Sequence, residues 1–227
     1  MKVIVTGATG MVGKGVLIEC LGHKEVEEVL SLSRRNLDLK HPKLKELLHA
    51  DFSEFESVKE QLQGYDACYA CMGVSAAGLS PEDYQKMTYD FTLALARTLY
   101  RLKPEMTFTY VSGQGTDSSE KGRTRWARVK GKTENDLLKL GFKQAYMYRP
   151  GGIIPMKGVS PSSKLYRNAI RYLGWLVHLI KVFAPNSIVD TTQIGRSMIK
   201  VSQNGYSKDI LDPKDIIDTS SWIQTLS

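Results

Sequence analysis

The tightest constraint on this chain is its first turn. Val3-Ile-Val-Thr-Gly7-Ala-Thr-Gly10-Met-Val-Gly13 joins a β-branched run to three glycines spaced three apart, and Lys14-Gly-Val-Leu-Ile-Glu-Cys-Leu21 follows with helical character. Strand, tight turn and helix start together form the arrangement that seats a dinucleotide pyrophosphate. Gly7 permits the sharp turn, Gly10 lets the backbone approach the phosphates, and Gly13 lets the helix pack closely on the strand. The helix N-terminus then presents unpaired N–H groups and a partial positive charge to the anion.

The rest of the chain repeats the rhythm. Strand signals fall at about 2–6, 28–33, 47–50, 66–72, 106–112 and 144–149, with helical signals at 13–22, 54–63, 81–102 and 125–140 between them. Strands alternating with helices predict a doubly wound, Rossmann-type α/β fold around a parallel sheet. Local punctuation agrees: Ser53-Glu-Phe-Glu56 reads as a capping box, Ser80-Pro81 as an N-cap with proline at the first helical position, and Gly141 as a helix C-cap. Leu93, Leu95, Ala96, Leu99 and Leu102 have the spacing of a core-facing helix. After Arg149-Pro150-Gly151-Gly152 the rhythm changes to a Ser/Pro/Gly-rich loop at 155–163 and a helix-like stretch near 164–183. A short extended piece at Ile188-Val189 and a helix near 192–203, ended by Gly205, complete the pattern. We read residues 1–227 as a single domain in which about 151–227 contributes a small C-terminal substrate-side lobe.

Where the second strand ends, the fold meets the adenosine ribose, and an acidic residue there selects the 2′-hydroxyl while arginine accommodates a 2′-phosphate. This chain has Ser33-Arg34-Arg35 at that place and no acid before Asp38. A guanidinium pairs with phosphate in two bonds where a carboxylate repels it, so NADP(H) is expected over NAD(H).

Thr6-Gly-Ala-Thr-Gly-Met-Val-Gly13, Asp51-Phe52, Cys71-Met-Gly73, Tyr110-Val-Ser112 and Tyr148-Arg-Pro-Gly151 each close a strand signal. Together they resemble the short-chain dehydrogenase/reductase superfamily, in its extended and atypical branches of NAD-dependent epimerase/dehydratase type. Short length and the Arg34-Arg35 pair most resemble the small Tat-interacting oxidoreductase-like group, over essentially residues 1–205. The resemblance implies that Gly7, Thr9, Gly10, Met11, Val12 and Gly13 hold the pyrophosphate and that Asp51 and the Phe52 backbone meet the adenine. Gly73 would pass the adenine-ribose side, and Pro150, Gly151 and Ile153 would line the nicotinamide. Lys130 would hydrogen-bond the nicotinamide ribose. Relatives of the extended branch often pair through such a helix as 81–102, which makes a homodimer one partner that the resemblance allows.

The chemistry of the superfamily uses a Ser that orients the substrate oxygen and a Tyr four residues before a Lys. That spacing sets both side chains on one helical face, and the ammonium lowers the phenol pKa for proton exchange. Ser112 and Lys130 match, but Trp126 stands at the Tyr position. Indole only donates a hydrogen bond. Three functions follow. The chain is an oxidoreductase whose proton comes from water held by Ser112 and Lys130 or from Tyr84, Tyr89 or Asp117; or it is a non-catalytic NADPH-binding regulatory module; or its basic region meets nucleic acid or lipid.

That last idea rests on charge. Residues 121–189 carry fourteen Lys or Arg against only Glu134 and Asp136, in a chain of net charge +7. Such a field suits cofactor phosphates or an anionic small-molecule substrate. The cationic and aromatic stretch from Ser163 to Lys181, with Trp175, reads as a core-facing helix beside the substrate cleft in preference to an interfacial one. Its apolar segment 174–184 is too short for a membrane span and carries His178 and Lys181. His23, His41, His49 and His178 are scattered, so no metal site is expected. Cys20, Cys68 and Cys71 are read as free thiols, and with no leader visible a reducing, cytoplasmic compartment is expected.

Overall fold

The computed structural model describes residues 1–156, 159 and 187–221. Most of the loop at 155–163, the helix-like stretch near 164–183 and Trp175 lie outside the described residues.

β1 (Lys2–Thr6), β2 (Glu28–Ser33), β3 (Leu44–Leu48), β4 (Ala67–Ala70), β5 (Thr107–Val111), β6 (Gln144–Tyr148) and β9 (Ile210–Leu211) form one sheet in the order β3-β2-β1-β4-β5-β6-β9. Every neighbouring pair is parallel. The sheet is doubly wound, with the chain reversing its direction of growth between β1 and β4. Successive residues of β1 show why both faces are covered: Val3 and Val5 enter one core with α1 (Met11–Gly22) and α5 (Thr191–Asn204), and Ile4 enters the other. The second core takes Leu93, Leu95, Ala96 and Leu99 of α3 (Phe91–Leu102) and Leu137 of α4 (Arg125–Lys139). Such two-sided burial explains why the centres of β1 and β4 are apolar with no polar alternation.

Helices α1 and α5 cross at glycines. A Cβ placed on Gly15 would stand 2.4 Å from Thr191 Cβ, and one on Gly195 would stand 2.8 Å from Glu19 Cβ. Thus α5, the helix expected near 192–203, packs on the Rossmann body. It begins in a reciprocal capping box of Asp190 and Gln193 and ends at Gly205. Among the described residues beyond Gly151, β7 (Gly152–Ile154) and β8 (Ile188–Asp190) make a separate two-stranded sheet, while β9 returns to the main sheet and α6 (Pro213–Ser220) packs against α5.

Three local expectations are corrected. The segment at 54–63 is a 3-10 helix, Glu56–Leu62, and its N-cap is Phe55. The Ser53–Glu56 capping box does not form because Asp51 takes both the Ser53 N–H and the Ser53 hydroxyl, and the Glu56 N–H goes to Glu54. The third strand lies at Leu44–Leu48, earlier than 47–50, since Lys45 and Glu46 disguise an edge strand whose exposed side tolerates charge. The helix at 81–102 is present, capped by Ser80 as expected, but it runs as α2 (Pro81–Gln85), a π turn at Lys86–Asp90 and α3.

Candidate functional site

The candidate site lies along the carboxyl ends of the parallel strands, beside the β1/β4 reversal, where open α/β sheets bind ligands. Gly7 follows β1 with φ +68°, and a Cβ there would sit 2.6 Å from Cys71 O. A Cβ on Gly13 would fall 2.2 Å from Gly7 O. No side chain other than hydrogen fits either place. Gly10 caps α1 through its backbone only, with no side-chain bond and no acidic residue in the first turn. The first N–H groups of α1 thus open onto the crevice, flanked by exposed Thr9 and half-buried Met11 and Val12. This glycine cradle fits a dinucleotide pyrophosphate.

Arg34 and Arg35 leave the end of β2 exposed, and neither guanidinium pairs with a described carboxylate. Ser33 fixes the turn by donating its hydroxyl to Arg35 O at 2.6 Å. After β3, Asp51 is exposed and holds the Ser53 N–H and hydroxyl, which keep its carboxyl below the usual range. Phe52 is buried with its ring edge-on to Phe55, leaving its backbone at the surface turn. Gly73 is exposed, with open space where a Cβ would stand. After β6, Pro150 O accepts from the Gln114 N–H at 2.9 Å. A Cβ on Gly151 would meet Ser187 O at 2.2 Å, and Ile153 follows in β7. The sequence-derived cofactor positions thus follow the carboxyl ends of β1, β2, β3, β4 and β6.

The catalytic positions are rearranged. Ser112 is buried, its Oγ donates to the Glu134 carboxylate, and Tyr148 O lies 3.0 Å from the same oxygen. Its carbonyl accepts from Lys130 Nζ. Gly113, with φ +138°, faces the ammonium instead: a Cβ placed there would lie 4.0 Å from Lys130 Nζ and 4.0 Å from Pro150 O. Glu134, wholly buried, is paired with the Arg149 guanidinium, whose Nε stands 3.0 Å from Oε1. Burial pushes the Lys130 pKa down to about 8, against an upward pull from Glu134.

Lys130 and Trp126 line a cleft of about 330 Å³ with Val74, Ser75, Ala76, Ala77 and Tyr84. Of the three side chains that the sequence offered as proton sources besides water, only Tyr84 is in this wall. Tyr89 donates to Asp136 at 2.7 Å, and Asp117 closes its own loop by accepting from the Gly122 N–H at 2.7 Å. Sequence reasoning missed Gly113 and Glu134. Glu134 carried a signal, since it follows Lys130 by one helical turn on the same face. Cys20 and Cys68 are buried free thiols, and burial pushes the half-buried Cys71 up to about 12.

A family profile described as the NAD dependent epimerase/dehydratase family matches residues 3–124. The chain belongs to that family. Its members are NAD(P)-dependent enzymes of oxidoreductase or epimerase-like type, and the short-chain dehydrogenase/reductase resemblance holds. Among curated proteins it is 25% identical over 227 residues to Protein FMP52, mitochondrial, of Candida albicans, covering 96% of this chain and 94% of that one. It is also 25% identical to Protein HTATIP2 of Rattus norvegicus, over 67% of this chain and 63% of the relative. A Bordetella bronchiseptica enzyme, WbmF, solved in complex with NAD+, shares the fold with a TM-score of 0.66 at 12% identity, over 96% of this chain and 76% of that one. The mitochondrial naming of the fungal relatives overturns the cytoplasmic expectation.

Proposed function

We propose that this family member is an NADP(H)-dependent reductase acting on a small carbonyl compound. The observation that carries it is the exposed Arg34-Arg35 pair at the end of β2, next to the glycine cradle and without a described acidic partner. Two guanidiniums there suit a 2′-phosphate, and an NAD-selective site would want a carboxylate. Thr9, Met11 and Val12 flank the pyrophosphate, Asp51, Phe52 and Gly73 the adenosine, and Pro150, Gly151 and Ile153 the nicotinamide. When bound, the cofactor supplies hydride. Lys130 anchors the ribose, and Ser112 acts through it, its carbonyl fixing the ammonium. An anionic substrate suits the basic half of the chain, with Lys121, Arg123 and Arg125 leading into α4.

A second reading, an NADPH-binding regulatory module, is favoured by one observation. Trp126 stands where the resemblance puts the proton-donating phenol.

Calorimetric titration with NADPH and NADH tests the cofactor, and NADPH oxidation with a panel of carbonyl compounds tests the reaction. Replacing Arg34 and Arg35 with Ala is expected to weaken NADPH at least tenfold more than NADH. Equal losses would sink the 2′-phosphate assignment, and tight NADPH binding without turnover on the panel would favour the regulatory module.

A further inference from the structure

The cleft lacks the two groups its relatives' chemistry calls for, yet it contains a phenol. Tyr84 is 1% exposed and shares the cleft wall with Lys130 and Trp126. It belongs to α2, immediately before the π turn at Lys86–Asp90. Insertions of this kind in helices recur at functional sites, because one extra residue per turn re-aims the side chains around it. Inside that turn lies Thr88, whose buried Oγ1 makes no hydrogen bond of normal geometry. An orphaned buried hydroxyl costs free energy and asks for an explanation.

We propose that Tyr84 is the proton donor of this site, giving its phenolic hydrogen to the oxygen of a carbonyl substrate held against Lys130 and Trp126, with Thr88 as its positioning residue. The proposal rests on the reductase reading above. In the balanced step, a hydride from a reduced nicotinamide adds its electron pair to the carbonyl carbon, the C=O π pair moves to oxygen, and that oxygen takes the Tyr84 proton. The carbonyl is reduced to an alcohol, the nicotinamide is oxidised, and the Tyr84 phenolate is reprotonated from solvent.

Thr88 then has its reason. Its hydroxyl draws the Tyr84 pKa down, and it donates more strongly to a phenolate than to a neutral phenol, so the interaction strengthens as the proton leaves. The charged and titratable groups around Tyr84 fit that role. Burial raises its pKa, the Thr88 hydroxyl and the Arg125 guanidinium draw it down, Tyr110 is a neutral phenol at its back, and Lys130 shares the cleft.

The test uses the full chain with NADPH and 4-nitrobenzaldehyde as probe. Tyr84→Phe is expected to lower kcat/KM at least 100-fold while calorimetry gives NADPH affinity within twofold of wild type. Thr88→Val is expected to lower it about tenfold and to move the alkaline limb of the pH profile upward. A readout without turnover accompanies these. In the apoprotein, the phenolate absorbance of the wild type minus that of Tyr84→Phe reports Tyr84, and Thr88→Val should shift that titration to higher pH. Turnover of Tyr84→Phe within threefold of wild type overturns the proposal, as does a Tyr84 titration indifferent to Thr88→Val. Tight NADPH binding with no wild-type turnover overturns this proposal and spares the cofactor assignment. No NADPH binding at all defeats the reductase reading itself.

Discussion

Replacing Lys130 with Met should make the apoprotein more stable at neutral pH while it weakens the cofactor. The ammonium is largely buried, and burial brings its pKa from an ordinary 10.5 to about 8. A fall of that size corresponds to about 3 kcal/mol by which folding disfavours the charged form. The sign follows from proton counting. Between pH 8 and about 10.5 the unfolded chain holds a proton that folded Lys130 has lost, so stability rises with pH across that window and the penalty is complete below it. Methionine keeps the apolar stem and removes the charge. It also removes the hydrogen bond to Ser112 O, a loss of about 1 kcal/mol. The variant should therefore gain about 2 kcal/mol at pH 7 and fall slightly below wild type near pH 10.5.

Urea unfolding of both proteins at pH 7 and pH 10, without cofactor, measures this. The buried thiols Cys20 and Cys68 titrate in the opposite sense, staying protonated in the fold while they ionise in the unfolded chain. They contribute equally to both proteins and drop out of the difference. If Lys130→Met is less stable than wild type at pH 7, or the difference is the same at both pH values, the reasoning is refuted. A destabilising lysine retained in the fold is a mark of a ligand site, because binding and folding ask opposite things of it.

Two further perturbations probe the frame that holds the site. Gly15→Ala puts a Cβ 2.4 Å from Thr191 Cβ and should cost about 1–3 kcal/mol by forcing α1 and α5 apart, read from the urea midpoint; an unchanged midpoint would show that the crossing yields freely. Glu134→Ala leaves the Arg149 guanidinium half-buried without its partner and frees the Ser112 hydroxyl, and should cost about 3–5 kcal/mol. A loss below about 1 kcal/mol would mean that the pair is effectively solvated.

The glycine turn after β1 was legible because it is written in sterics. Gly7 and Gly13 stand where any side chain would strike backbone 2.6 Å or less away, so their spacing survives as a readable pattern. The strands around them are apolar on both faces, which gives short β-branched runs that alternate with helical ones. Where the sequence misled, a polar side chain had been recruited locally. Lys45 and Glu46 hid an edge strand, and Asp51 drew Ser53 away from a helix cap. The catalytic half was less legible, since a strand-end residue's face depends on the turn after it. Ser112 and Gly113 are adjacent in sequence, yet the Ser112 hydroxyl turns to Glu134, whereas a Cβ on Gly113, with its positive φ, would face Lys130 Nζ.

That choice explains how a cleft can keep its lysine while it changes its acid. Ser112 commits every polar group it has: its N–H and hydroxyl address Tyr148 O, the hydroxyl also reaches Glu134, and its carbonyl receives Lys130. Glu134, one turn beyond Lys130 on α4, is held in turn by Arg149 at the end of β6. Strand β6, Ser112 and α4 are thus locked together by buried charge-assisted bonds, which are strong where water is excluded. The clamp fixes Lys130 whatever residue stands at 126. With the ammonium positioned independently, an indole at 126 can close the wall of the cleft and the proton can enter from another helix. Tyr84, carried in beside the π turn, is the phenol that the fold brings to that opening.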